Sequence, residues 1–529
     1  MSKMFTLSMK RPAFYVTTGA VMMVMKKAFM AGALCLLLAL PAPVPSAFAI
    51  TVSEEEDLAK EFLEVVRKHY DVIEDPALSA YVNRIGKRVL AGYLPQPFAY
   101  HFNIIRQDVY NAFAGPGGNI YVNSGLFAAM EDEDELAGIL SHEIAHVACR
   151  HISQKIEKST KVQMATLAGV VAGIFLGIGG GGSMASGLTI GSMAAGQSVM
   201  LAYSRDDERE ADKLGLKKLY EAGYTGNGLL TMMKKIRAQQ WYGSDEVPSY
   251  LTTHPGSDER IIYIDNWMAS NTPGVQAKAR ENLDFKRMRT RLFALYGDEQ
   301  QALRQFAAES REKPEDFLAQ YGYGLALARA GNRKEAIVAY KKALELHAFD
   351  PYLPTDLGQA YFLDGHYEAA LKVLSGADPN VPDPGRSFYL GRIQMEMGQT
   401  EAARKTFDQL VTNYPGYTEA LYYLGEAYGK LDVMDDAHFY LGLYCKERGD
   451  VRKAVFHLER ALEKASDNEK KAKIEAELKP LSKKKYKEDK EKAEQEERDR
   501  EAERQRREER QRDQDRQEEI RRERQRRNQ

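Results

Sequence analysis

The chain has 529 residues, 74 basic and 76 acidic side chains for a net charge of −2, and 44% hydrophobic residues. That length exceeds what one hydrophobic core usually organises, so a single-domain reading starts at a disadvantage and two or more folded domains are expected. The balanced charge leaves no electrostatic footprint for nucleic acid, so any interaction surface is local.

The first element is an address. Lys26 and Lys27 precede an apolar run over residues 28–40 and small residues ending in Ala47-Phe48-Ala49, the order of a secretory signal peptide over residues 1–49. Residues 13–25 are apolar too, which leaves an uncleaved anchor as the alternative, and Met25 is a plausible later start. Cys35 follows Leu34, not the small residue a lipid-attachment site wants. Beyond the signal, Cys149 and Cys445 fall in different domains, so no disulfide framework is expected.

Residues 50–275 mix helical periodicity with strand-like pieces at 102–105 and 119–122, predicting an α+β domain. Its strongest signal is His142-Glu143-Ile144-Ala145-His146, within a helical stretch from about 133 to 158. The acidic run 131–135 suits the positive N-terminal end of that helix. On a helix, positions i and i+4 differ by about 40°, so both imidazoles face one point and supply half a tetrahedral zinc site. Glu143 beside them is placed to take a proton from the attacking water and pass it to the leaving amine.

A third ligand is needed. Cys149 and Ile152 stand where a metzincin needs glycine and histidine, which excludes that class. A later helix supplies carboxylates: Ser204 is a candidate N-cap, Glu208 and Asp212 share one face, and Glu210 is a rival for the metal. His151, five residues after the motif, reads as structural, and Cys149 as a packed side chain. The Gly- and Ala-rich segment 164–198 reads as a buried helix and loop, with a flap or membrane-surface contact as the alternative.

Over residues 283–465 the pattern becomes helix pairs. Gly324, Gly358, Gly391 and Gly425 recur at 34, 33 and 34 residues; Gly331, Gly365 and Gly398 follow the first three by seven, and Ala336, Ala370, Ala403 and Ala437 follow all four by twelve. This is tetratricopeptide spacing, predicting an all-α solenoid whose units must stack to bury their apolar faces. Gly442, Gly449 and Ala454 repeat the pattern half a unit out of step, so one helix is expected to serve two units. Residues 466–529 are a charged low-complexity tail, unable to build a core and read as partly helical.

The H-E-x-x-H motif followed by Glu208-x-x-Ala211-Asp212 resembles the HtpX-like gluzincin family of zinc metallopeptidases. The resemblance implies one zinc ion per chain held by His142, His146 and Glu208, with Asp212 as partner of this ligand set and proton donor. The Gly-rich run 111–118 leading into 120–126 looks like that family's approach to an edge strand beside the active site, open to substrate backbone. His254-Pro255 with Arg260 matches its H-P-x-x-x-x-R element, so His254 and Arg260 are expected at the reacting carbonyl oxygen; in periplasmic members the histidine also closes the zinc as a fourth ligand.

With its signal and repeats, the chain is similar over residues 50–465 to the periplasmic β-barrel assembly-enhancing proteases of Gram-negative bacteria. That similarity implies a periplasmic metalloendopeptidase acting on unfolded or misassembled outer-membrane proteins. It also implies a protein partner in the repeat groove, such as the outer-membrane assembly machinery, and peripheral membrane contact. The competing class is a repeat scaffold or chaperone with a latent metal site, and the presence of Glu143 favours the enzyme.

Overall fold

The computed structural model describes residues 51–158, 203–242, 249–271, 283–378 and 381–483. The signal-like segment 1–49, the whole Gly- and Ala-rich segment 164–198 and the charged chain beyond 483 lie outside the described residues. No helix among the described residues is long and apolar enough to cross a membrane.

The domain begins with α1 (Val52–His69), started by a Thr51–Glu54 capping box, and α2 (Pro76–Leu90), whose Asp75 cap accepts from the Leu78 amide. Three strands follow, β1 (His101–Ile105), β2 (Ala112–Ala114) and β3 (Asn119–Asn123). Their order is β1-β3-β2, with β1 parallel and β2 antiparallel to β3. Gly117 and Gly118 adopt φ of 65° and 80° in the turn joining β2 to β3, a conformation that favours glycine. The expected edge strand at 119–123 is therefore the central one, paired on both sides. Among the described residues β2 is the outer strand on the side of β3 away from β1, and it packs against the metal-bearing helix.

After α3 (Ser124–Ala129) comes α4 (Glu133–Ala148), capped by Asp132. The single helix expected to run to 158 is broken: Arg150 takes φ 56°, and α5 (His151–Lys158) starts anew. Then come α6 (Arg205–Glu221), α7 (Asn227–Tyr242), α8 (Ser249–Thr253) and α9 (Ser257–Asn271). Ser204 does cap α6, forming a capping box with Asp207. α4 lies at the centre, with Leu136, Ile139, Leu140 and Ile144 fully buried.

The solenoid runs α10 (Leu283–Tyr296), α11 (Glu299–Glu312), α12 (Phe317–Arg329), α13 (Arg333–Leu346), α14 (Leu353–Leu363), α15 (Tyr367–Ser375), α16 (Pro384–Glu396), α17 (Thr400–Asn413), α18 (Thr418–Lys430), α19 (Met434–Glu447) and α20 (Val451–Lys464). The periodic glycines are contact points: a Cβ at Gly324, Gly358 or Gly391 would stand 2.5 or 2.6 Å from Tyr340, Leu374 or Phe407 on the next helix. Gly331, Gly365 and Gly398 adopt φ of 80°, 79° and 74° at the turns, and Asp432 takes that place in the fourth. α19 serves two units, since Gly425 meets Leu441 and Gly442 meets Leu458.

Two boundaries differ from the sequence reading. α10 buries Phe285, Met288 and Leu292 in the peptidase-side core and Ala294 in the core of the array, so it packs against both parts. The charged stretch from 466 is not solvated throughout: residues 468–483 are helical and bury Ile474 and Leu481 against α20. The inner face of the array turns toward the first domain, leaving a cavity of about 390 Å³ between α12, α14, α16 and the segment containing Glu74, Asp75 and Pro76.

Candidate metal centre

The two α4 histidines are fully buried, their Nε2 atoms 3.0 Å apart. α6 crosses α4 where Gly215 faces the Ser141 carbonyl, 3.1 Å from where a Cβ would sit, and Ser141 Oγ donates to the Gly215 carbonyl at 2.7 Å. This close crossing brings in Glu208, with Oε2 3.3 Å from His142 Nε2 and Oε1 3.4 Å from His146 Nε2. His254, just past α8, adds Nδ1 at 3.0 Å from Glu208 Oε1. One donor atom from each of His142, His146, Glu208 and His254 lies within 4.8 Å of all the others.

Asp212 sits one turn beyond Glu208, its Oδ1 3.0 Å from His142 Nδ1, which leaves His142 Nε2 as the free donor atom. Arg260 donates from Nε and Nη2 to Asp212, both at 2.8 Å, and its Nη1 lies beside Glu208 Oε2. Arg260 thus braces the two carboxylates. Burial pushes the Glu208 carboxyl up, but Arg260 and the histidines outweigh it and hold the group well below the usual carboxylate range. Burial and Arg260 pull His142 down, yet Asp212 and Glu208 prevail and raise it to about 9. His146 goes the other way: burial, with His142 and His254 beside it, outweighs Glu208 and holds the ring well below the usual imidazole range.

Glu143 is of another kind. It is fully buried, burial raises its carboxyl, and neither oxygen has a hydrogen-bond partner among the described residues. The nearest basic nitrogen is His254 Nε2, 3.8 Å away and likewise without a hydrogen bond. Unpartnered buried polar atoms facing three imidazoles and a carboxylate are what a site for a cation and a reacting group needs. The donor set fits a metal ion.

Sequence reading missed three neighbours. His151 Nδ1 lies 2.9 Å from His146 Nδ1, and its Nε2 lies 3.3 Å from Glu210 Oε2. On a continuous helix His151 would point elsewhere; the left-handed Arg150 folds it back under His146. Glu210, the rival ligand, is 66% exposed and holds His151 rather than the metal cluster. Tyr203 stacks on His146 with centroids 3.7 Å apart, and Tyr250 stacks on His254 at 4.3 Å. Only Tyr250, four residues before His254, had a periodic signal. Because His151 fixes the His146 ring, His151→Ala is expected to weaken metal retention by about 10–100-fold, read by chelator competition. Unchanged retention would assign His151 to packing alone.

Residues 76–268 match peptidase family M48, and residues 297–351 and 387–417 match tetratricopeptide repeats. The beta-barrel assembly-enhancing protease of Yersinia pestis is 28% identical over 318 residues, 60% of this chain but only 63% of that protein. Its Escherichia coli K12 counterpart is 26% identical over 69% of this chain and 74% of its own length. The mitochondrial metalloendopeptidase OMA1 of Schizosaccharomyces pombe is 29% identical over 39% of this chain and 56% of its own. Matched sequence and buried cluster agree: residues 76–268 form a domain similar to peptidase family M48 with side chains able to hold a metal ion, and tetratricopeptide repeats follow it.

Proposed function

We propose that this chain is a zinc-dependent metalloendopeptidase of the periplasm that cleaves unfolded or misassembled outer-membrane proteins. The observation that carries the reading is Glu143, an unpartnered buried carboxylate beside a cluster of three imidazoles and a carboxylate. Nitrogen and oxygen donors in this number suit zinc, held one per chain by His142, His146 and Glu208. When bound, zinc supplies a Lewis acid that polarises the scissile carbonyl and activates water.

The chain's own residues do the rest. Glu143 accepts a proton from the attacking water and returns it to the leaving nitrogen. Asp212 keeps the His142 ring oriented, and Arg260 holds Asp212 and Glu208 in place. His254, beside both Glu143 and Glu208, either completes the ligand set or turns to steady the charge on the carbonyl oxygen.

The periplasmic assignment rests on the signal-like segment 1–49 and on the names of the Yersinia and Escherichia relatives. The cavity on the inner face of the array supports a protein partner there, with outer-membrane assembly components as the proposed class and peripheral contact with that membrane as the consequence. It is also the observation that favours the second reading, a scaffold or chaperone.

Chelation is expected to stop cleavage of an unfolded outer-membrane protein, and one equivalent of zinc to restore it. The measurement is fragment appearance alongside metal content. Cleavage that survives complete metal removal would sink the proposal, and binding without cleavage by the zinc-loaded chain would favour the scaffold.

A further inference from the structure

On the Nδ1 side of His146, where His151 meets it, lies a second group of metal-ligating side chains outside the His142, His146, Glu208 and His254 cluster. Cys149, His151 and Glu210 each offer a donor atom within 4.8 Å of the other two. The backbone is shaped to assemble them. Cys149 ends α4, and Arg150 takes φ 56°, a left-handed conformation unfavourable for a side chain of this size. A buried carboxylate holds that turn: Glu55 Oε2 accepts from Arg150 Nη2 at 3.0 Å and from Ser153 Oγ at 2.6 Å.

The group is also reachable. His151 is 1% exposed, but Cys149 is partly exposed and Glu210 opens to solvent. A thiolate, a carboxylate and a neutral imidazole carry two negative charges, which a divalent cation offsets. Sulfur and nitrogen donors select borderline or soft ions.

We propose that Cys149, His151 and Glu210 form a second metal site, for Zn²⁺ or a similar borderline cation, whose filling inhibits the peptidase through His151 and His146. In the binding step the Cys149 S–H bond breaks, its proton goes to solvent, and a sulfur–metal bond forms. The coupling follows from the 2.9 Å contact between the two Nδ1 atoms. With a cation on His146 Nε2, the ring proton is on Nδ1 and is donated to His151 Nδ1. His151 then carries its own proton on Nε2, facing Glu210. A cation on His151 Nε2 moves that proton to Nδ1, where two N–H groups confront each other. His146 must turn, and the first site is weakened; by linkage, the first metal weakens the second to the same degree.

The test uses the full-length chain carrying one metal ion, titrated with Co²⁺. A second equivalent is expected to bind with the thiolate-to-cobalt charge-transfer absorption that a cysteine ligand produces. Cys149→Ser should lose both that absorption and the second equivalent while keeping the first, and Cys445→Ser should lose neither. Glu210→Gln, altering an exposed side chain, should weaken the second equivalent without disturbing the fold. Binding of a single equivalent with no such absorption, or its persistence in Cys149→Ser, would overturn the site. Peptide cleavage should fall as the second equivalent binds to the wild type and stay level in Cys149→Ser. Cleavage undiminished with that equivalent bound would overturn the coupling. The absorption readout does not require peptidase activity, so it stands apart from the function proposed above.

Discussion

Glu143→Gln is expected to lower peptidase turnover by about 10²–10⁴-fold while metal content stays unchanged. The substitution keeps the side chain's shape but removes the proton acceptor. Its specificity as a test comes from the surroundings. Glu143 makes no hydrogen bond among the described residues, so glutamine breaks no structural contact. It lies outside the group of His142, His146, Glu208 and His254 whose donor atoms converge, so the cation should remain. Burial raises its carboxyl toward the range in which a base can both take and return a proton. The measurement is kcat on an unfolded substrate beside metal content and thermal stability. Retained turnover would remove Glu143 from the chemistry, whereas lost metal would show that it serves the ligand set instead.

Arg291→Ala is expected to cost about 3–5 kcal/mol and to uncouple unfolding of the array from that of the peptidase domain. Arg291 lies at the junction. Its Nε donates to both Asp75 oxygens at 2.9 Å, and its Nη1 donates to Asp356 at 2.7 and 2.8 Å and to the Tyr321 hydroxyl at 2.9 Å. Asp75 belongs to the start of α2, Tyr321 to α12 and Asp356 to α14, so one guanidinium ties the first domain to two repeats. Burial raises the Asp356 carboxyl despite the arginine beside it. Without Arg291, two buried carboxylates face each other uncompensated. Scanning calorimetry should resolve two transitions where the wild type shows one. Adding Asp75→Asn and Asp356→Asn to the same chain should recover part of the loss, because the cost lies in stranded charge. A single transition at the wild-type temperature would refute the junction's role.

The metal centre was legible wherever its geometry is local. His142 and His146 share a helix face by spacing alone, Glu208 and Asp212 do the same, and Ser204 announces the start of their helix. The 33- and 34-residue glycine period likewise specifies helix pairs, because close crossings exclude a side chain at those positions. Contacts between distant residues carry no such period. Nothing in the chain marks Arg150 as left-handed, yet that one dihedral brings His151, read from the sequence as structural, against the His146 ring. Which face of α6 meets α4 is set at the Gly215 crossing, which buries Glu208 and leaves Glu210 exposed. β3 became central because β1, in parallel, closes the side that β2 leaves open. Arg291 pairs with Asp75 across 216 residues and with Asp356 across 65. Spacing along the chain dictates what one helix presents; which helices meet, and which charges they must satisfy between them, depends on how the whole core packs.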